Sequence, residues 1–230
     1  MTPALVAVRL ADTHRLIPSR FPPAGVFEAV ASADDLEAVL DLEGWTNDRI
    51  SADLGVVHVL PKDEWLTGTP NASIVMAAFC HPHPEGGRFN TPELGAWYAA
   101  LSLDTAIAET VCHRTEELDE IGVTDTFVHM REYLADFDCA FHDVRPSPAF
   151  DDCHKPDSYS AGQALCRALR PAGSNGVLFR SVRHIGGECV ACYRPKLVGN
   201  VRQGGHYEYR WEGARAPRVI KLDEMPPKSA

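Results

Sequence analysis

Along the chain, Leu36, Val39 and Leu40 recur at helical spacing behind Ser32, a residue suited to capping, and this predicts a helix around Asp34–Leu42. The apolar run Ile74–Cys80 has strand length and leads into the turn-rich HPHPEGG, so it is expected as a short buried strand. GAWYAA (Gly95–Ala100) predicts another strand. Ser102 is then placed to cap a helix from Leu103 to about Leu118, with Ala106, Ile107, Thr110 and Val111 as a half-apolar stripe and Glu109 beside it.

Phe127–Leu134 alternates as a strand does, and a helix opening at Asp157 or Ser158 buries Ala161, Ala164, Leu165, Ala168 and Leu169 before Gly173 stops it. Gly176–Val182 and Glu188–Arg194 read as strands joined by a hairpin-length loop, and His206–Trp211 alternates like an edge strand. Trp45–Leu60 is expected to add a short helix and a strand. Strands and helices mixed without a regular βαβ rhythm predict an α+β fold. Ahead of it stands the proline-flanked arm His14–Pro23 with its helical segment. The expected division is residues 1–72 as an N-terminal arm and helical extension, 73–212 as the main domain and 213–230 as a flexible tail.

The 230 residues are 45% hydrophobic and 23% charged, and they contain no apolar run near the roughly 20 residues of a membrane-spanning helix. With 22 Lys+Arg against 32 Asp+Glu the net charge is -10, which repels a phosphate backbone, so direct nucleic-acid binding is not expected. Seven scattered cysteines behind a start without a basic, apolar leader suit a reducing cytoplasm.

Three constellations offer chemistry. In Glu85–Asn90 the adjacent Gly86 and Gly87 let backbone amides approach an anion, and Arg88 presents a planar fork; a tight surface turn is the plain alternative. Tyr98 on a strand precedes Glu109 on the next helix, a carboxylate on an Ala/Ile face, unless it pairs with His113 or Arg114 at the surface. In Arg180–His184, Ser181 stands among cations, and an edge strand with outward charges would explain it equally. CVAC (Cys189–Cys192) imitates half of a zinc knuckle, but residues three apart on a strand face opposite sides, so no metal is expected. GxGxxG, GxxxxGK[ST], HExxH and GxSxG are all missing from the sequence, which removes the motif basis for dehydrogenase, P-loop, zincin and hydrolase-elbow readings.

Taken in order, GGRFN (Gly86–Asn90), WYAALSLDTAIAE (Trp97–Glu109) and GVLFRSVRHIGGECVACYRP (Gly176–Pro195) resemble the RES family, named for an arginine, a glutamate and a serine. The family's residues map to Arg88, Tyr98, Glu109 and Ser181. The resemblance implies an ADP-ribosyltransferase-like split mixed sheet with flanking helices. It also implies a bacterial toxin that consumes NAD+ and is neutralised by an Xre-type helix-turn-helix antitoxin covering its site. Cleavage of the nicotinamide–ribose bond is the implied reaction, with water, inorganic phosphate or a protein side chain as acceptor. Glu109 would hold a ribose hydroxyl and stabilise the oxocarbenium-like state, and Arg88 with the Gly86–Gly87 amides would hold the pyrophosphate. Tyr98 would pack on the nicotinamide or its ribose, and Ser181 would orient Glu109 or the nicotinamide amide. Arg15 and Arg20 are candidate phosphate clamps, His184 a candidate substrate contact, and Asn90 shapes the substrate-binding turn. The chain departs from many relatives in carrying Phe89 in place of tryptophan and Arg180 before Ser181. A silent NAD+- or partner-binding module and a zinc-dependent interaction domain are the rival readings.

Overall fold

In a computed structural model the described residues are 1–20, 25–43, 54–213 and 216–222. Seven strands, β1 (Ala4–Pro18), β2 (Trp97–Ala100), β3 (Asp125–Asp143), β4 (Gly176–Arg180), β5 (Glu188–Cys192), β6 (Gly199–Glu212) and β7 (Arg218–Leu222), form a mixed sheet in the order β1-β2-β5-β4-β3-β6-β7. It has two antiparallel parts. β1 pairs with β3 from Ala4↔Asp143 to Pro18↔Met130, and β6 and β7 continue that part outward. β2, β5 and β4 make the other. Paired positions between the parts are few: His14↔Ala100, and the parallel pairs His142↔Val177 and Asp143↔Leu178.

Side chains therefore have to join what the backbone joins sparsely. Because strand residues alternate between faces, the sheet feeds two cores. On one face Trp97, Ala99, Tyr133, Phe137, Phe141, Leu178, Val190 and Cys192 pack with Phe27, Leu36 and Phe79 from α1 (Val26–Ala29), α2 (Ala33–Glu43) and α3 (Ala72–Cys80). On the other, Phe89, Met130, Val177, Phe179, Cys189, Ala191, Tyr207 and Tyr209 pack with Ala106 of α4 (Leu103–Glu120) and Cys166 of α5 (Ser160–Leu169).

Ser32 does open α2, its hydroxyl accepting the Asp35 amide, although the side chains of Val39 and Leu40 lie outside the described residues. Ile74–Cys80 is helical, not extended. Ala72, Ile74, Val75, Met76, Phe79 and Cys80 are all buried, and a helix enclosed on most sides writes the same apolar run as a buried strand. Its N-terminus is held by Glu28, which accepts the Ser73 amide and hydroxyl while also taking the Gly25 amide at the start of α1. In place of the strand expected before Leu60 there is a 3-10 turn at Val57–Val59; residues 44–53 lie outside the described residues.

The arm is sheet as far as Pro18. β1 begins at Ala4, and its alternation is interrupted by a register shift between Leu10 and Thr13, where Asp12 has φ 55°. Residues 21–23 of the arm are outside the described set. β3 runs well beyond the expected Leu134, and β6 begins at Gly199. β6 is not an edge: β7, drawn from the expected tail, pairs along it from His206↔Leu222 to Arg210↔Arg218. β4 is interior as well, between β3 and β5.

Candidate active site

Where the two parts of the sheet separate beyond His14↔Ala100, a cleft of about 610 Å³ opens, with Arg15 and Leu16 of β1, Tyr98 of β2, the 85–90 turn and α4 around it. A chamber of about 220 Å³ adjoins it and shares Arg15, Leu16, Tyr98, Glu109, Thr110, His113 and Phe179. Such volumes fall in or near the range of small-molecule sites, roughly 300–1,000 Å³.

Glu109 reaches both spaces because Ser102 fixes the start of α4: its hydroxyl accepts the Thr105 amide and meets Thr105 Oγ1 at 2.8 Å. Ser181 sits just past the end of β4, with its Oγ 2.6 Å from Glu109 Oε1. The same Oγ accepts the amides of Arg183 at 3.1 Å and His184 at 2.9 Å. With its lone pairs engaged by two amides, the hydroxyl proton is directed to the carboxylate, so Ser181 sets Glu109's orientation. The expected surface partners of Glu109 are engaged elsewhere: Arg114 bridges Glu117 at 2.6 Å, and His113 lies 3.7 Å from Glu116.

Arg88 is buried and stacks on Tyr159, with 4.8 Å from its guanidinium carbon to the ring centroid. Its Nη1 donates to the carbonyls of Cys153 at 3.0 Å and Lys155 at 2.6 Å, while Nε and Nη2 make no hydrogen bond among the described residues. Burial lowers its pKa, against the opposing pull of Tyr159 and Glu109. Tyr98 donates its hydroxyl to Asn90 Oδ1 at 2.9 Å and accepts the Phe89 amide at 2.8 Å, which clamps the turn; burial raises its pKa. Asn90 spends its amide on the carbonyls of Thr91 and Leu94. The expected amide cradle is closed: Gly86 donates to the His83 carbonyl at 2.8 Å and Gly87 to the Asn90 carbonyl at 3.0 Å. The glycines serve the turn itself. Gly86 has φ 73°, and a Cβ on Gly87 would strike the Tyr98–Asn90 clamp.

Arg15 lines both spaces, stacks on Trp97 at 4.9 Å and donates Nη1 to the Tyr98 carbonyl at 3.0 Å. No carboxylate among the described residues pairs with it, its Nε is buried without a partner, and burial lowers its pKa to about 10. Arg20 is exposed and lies off the cleft wall. His184 is clipped to Thr105 Oγ1 at 2.7 Å and also stands off both cavity walls. His113, one turn beyond Glu109, was not among the expected site residues although it lines both spaces; its spacing of four on the same helix was the signal. Burial lowers the His113 pKa against Glu109, which raises it.

Cys189 and Cys192 fall in opposite cores, with burial raising the Cys192 thiol to about 12 and Cys189 above the ordinary range. Residues 63–212 match the RES domain family. The chain belongs to the RES family. Over 215 residues this RES protein is 29% identical to an uncharacterized protein, y4oC, of Sinorhizobium fredii, an alignment covering 93% of this chain and 88% of that one. A chain in the crystal structure of the M. tuberculosis MbcT-MbcA toxin-antitoxin complex is similar over 94% of this chain and 86% of its own, with TM-score 0.46 and 14% identity. Among the described residues of the RES protein, no helix is long and apolar enough to cross a membrane.

Proposed function

We propose that this RES protein cleaves the nicotinamide–ribose bond of NAD+ in the cytoplasm, and that it is the toxin of a toxin–antitoxin pair. The observation that carries the reading is a carboxylate fixed by a serine, Glu109–Ser181, on a cleft whose wall also holds Arg15, a half-buried cation with no acidic partner among the described residues and a buried, unpartnered Nε. Burying an uncompensated guanidinium is costly, and an anionic ligand would offset that cost. Membership in the RES family supports the same substrate.

In NAD+ the nicotinamide is a cationic leaving group that departs neutral, so its bond breaks without a proton donor and leaves positive charge on the ribosyl carbon. Glu109 stabilises that charge, and Ser181 keeps its carboxylate oriented while the charge develops. Arg15 holds the pyrophosphate together with the outer edge of Arg88, a role that passes to them because the Gly86 and Gly87 amides are occupied. Tyr98, set edge-on to Phe179 with centroids 6.3 Å apart, forms the wall against which the nicotinamide riboside packs. Water or inorganic phosphate completes the reaction from the open side, giving a glycohydrolase or a phosphorylase. An Xre-type antitoxin would cover the cleft, its basic surface matched to a chain of net charge -10.

Purified protein should release nicotinamide from NAD+, and Glu109→Ala should stop the release while leaving the unfolding transition cooperative. A rate that requires phosphate identifies phosphorolysis, and one that does not identifies hydrolysis. Release that persists in the variant overturns the role of Glu109. Absence of release with both acceptors overturns NAD+ cleavage to small acceptors and leaves transfer to a protein side chain, or a silent binding module. Expression should arrest growth, with relief by a co-expressed Xre-type protein.

A further inference from the structure

His14 and Glu132 have no part in the site described so far. β1 and β3 bring them together, since His14 pairs in register with Leu134, and same-face diagonal neighbours two residues apart are within reach across a sheet. His14 Nδ1 lies 2.6 Å from Glu132 Oε1. Glu132 Oε2 accepts the Gly205 amide at 2.8 Å and the Tyr207 hydroxyl at 3.3 Å. Only 7% of the Glu132 side chain is exposed, and a Cβ on Gly204 would collide with its carboxylate. The chain therefore keeps room for this acid and supplies donors to both of its oxygens.

An ionised carboxylate at Nδ1 fixes the proton there, so the neutral imidazole presents the Nε2 lone pair as an acceptor. Nε2 makes no hydrogen bond among the described residues, and His14 lines the 220 Å³ chamber that Glu109 also lines. The chamber's apolar lining is Leu16, Ala99, Ala100, Ala106 and Phe179. A strand cross-link alone does not require this arrangement, because β1 and β3 are already joined along most of β1.

We infer that this chamber receives the nicotinamide ring and that His14 Nε2 accepts a carboxamide N–H, so that the Glu132–His14 pair selects a carboxamide-bearing leaving group over a carboxylate-bearing one. The inference rests on the NAD+-cleavage reading. An apolar chamber of this size suits a flat, uncharged base, and the carboxamide supplies the donor that Nε2 lacks. Nicotinate offers lone pairs to a lone pair and brings its negative charge beside Glu109, while Arg15 on the same wall is engaged by the pyrophosphate in the proposed complex. Glu132 is a positioning residue, acting through the tautomer it imposes on His14.

The test compares kcat/KM for NAD+ and for nicotinic acid adenine dinucleotide at pH 8, reading the released base chromatographically. The wild-type protein should favour NAD+ by about a hundredfold or more. In Glu132→Gln the amide N–H faces Nδ1, the ring proton moves to Nε2, and the ratio should fall about tenfold or more, whatever happens to the absolute rates. His14→Phe, which keeps a ring but removes the acceptor, should lower the ratio too, and it decides the matter if Glu132→Gln does not fold. Ratios unchanged in folded variants, with both substrates slowed alike, would make the pair a strand cross-link and overturn the inference alone. Cleavage of neither dinucleotide by the wild-type protein would overturn the NAD+ reading and this inference with it.

Discussion

Among the described residues the Ser181 hydroxyl hydrogen-bonds to Glu109 and no other side chain, while also accepting the Arg183 and His184 amides, so its effect on catalysis is read beside an unfolding measurement. Ser181→Ala should lower kcat about a hundredfold with little change in KM, because it frees a carboxylate that has to be oriented as charge develops. Equal losses in kcat for Ser181→Ala and Ser181→Thr would argue against a hydrogen-bonding role. Gly162 shows how closely the Arg88 turn is seated: a Cβ there would strike the Arg88 carbonyl. Gly162→Ala should cost about 1–3 kcal/mol, measured by urea unfolding, and should weaken NAD+ binding through displacement of that turn. Arg88, Tyr98, Glu109 and Ser181 were legible in the sequence as a spaced set. The spent amides of Gly86 and Gly87 were not, since their bonds to the His83 and Asn90 carbonyls follow from the turn's conformation rather than from residue type, and the surroundings of Arg15 were not, since they are set by residues distant in the chain.

Among the elements, α3 is a helix whose sequence pattern reads as a strand, and its burial gives a direct test. Phe79 is fully buried, so Phe79→Ala should cost about 3–5 kcal/mol, whereas Phe127, 55% exposed on β3, should cost under about 0.5 kcal/mol on the same change. The short apolar strand Trp97–Ala100 was read at the right place, and α4 was read with its cap. β1 escaped because its register shift breaks the period of two, and β7 because it is short and follows a proline- and arginine-rich stretch. On β5 alternation has a chemical consequence. Cys189 and Cys192, with Cys80 of α3, are buried thiols with raised pKa values, so a thiol reagent at pH 8 should label them only after denaturation. Their rapid labelling in the native protein would contradict the packing of both cores.

Over the whole molecule, mild acid should weaken the fold through its half-buried histidines. Burial holds the pKa values of His113, His142 and His154 below the ordinary histidine value of 6.5. The unfolded chain then binds more protons than the native one below pH 6.5, so stability should fall as pH drops from 7 toward 5. Replacing the three histidines with glutamine should flatten that slope in urea unfolding midpoints; a slope that persists would place its origin elsewhere. The sequence by itself determined the α+β class, the cap of α4, the hairpin of β4 and β5, and the family motifs, because each is written in neighbouring residues through local period, turn chemistry and spacing. Only the tertiary structure decided that the N-terminal strand joins both parts of the sheet and that the cleft opens where those parts separate. It alone brought Arg15 and His14 to the chamber beside Glu109 and set Glu132 against His14, because such contacts link residues 83 and 118 positions apart, which no local pattern encodes.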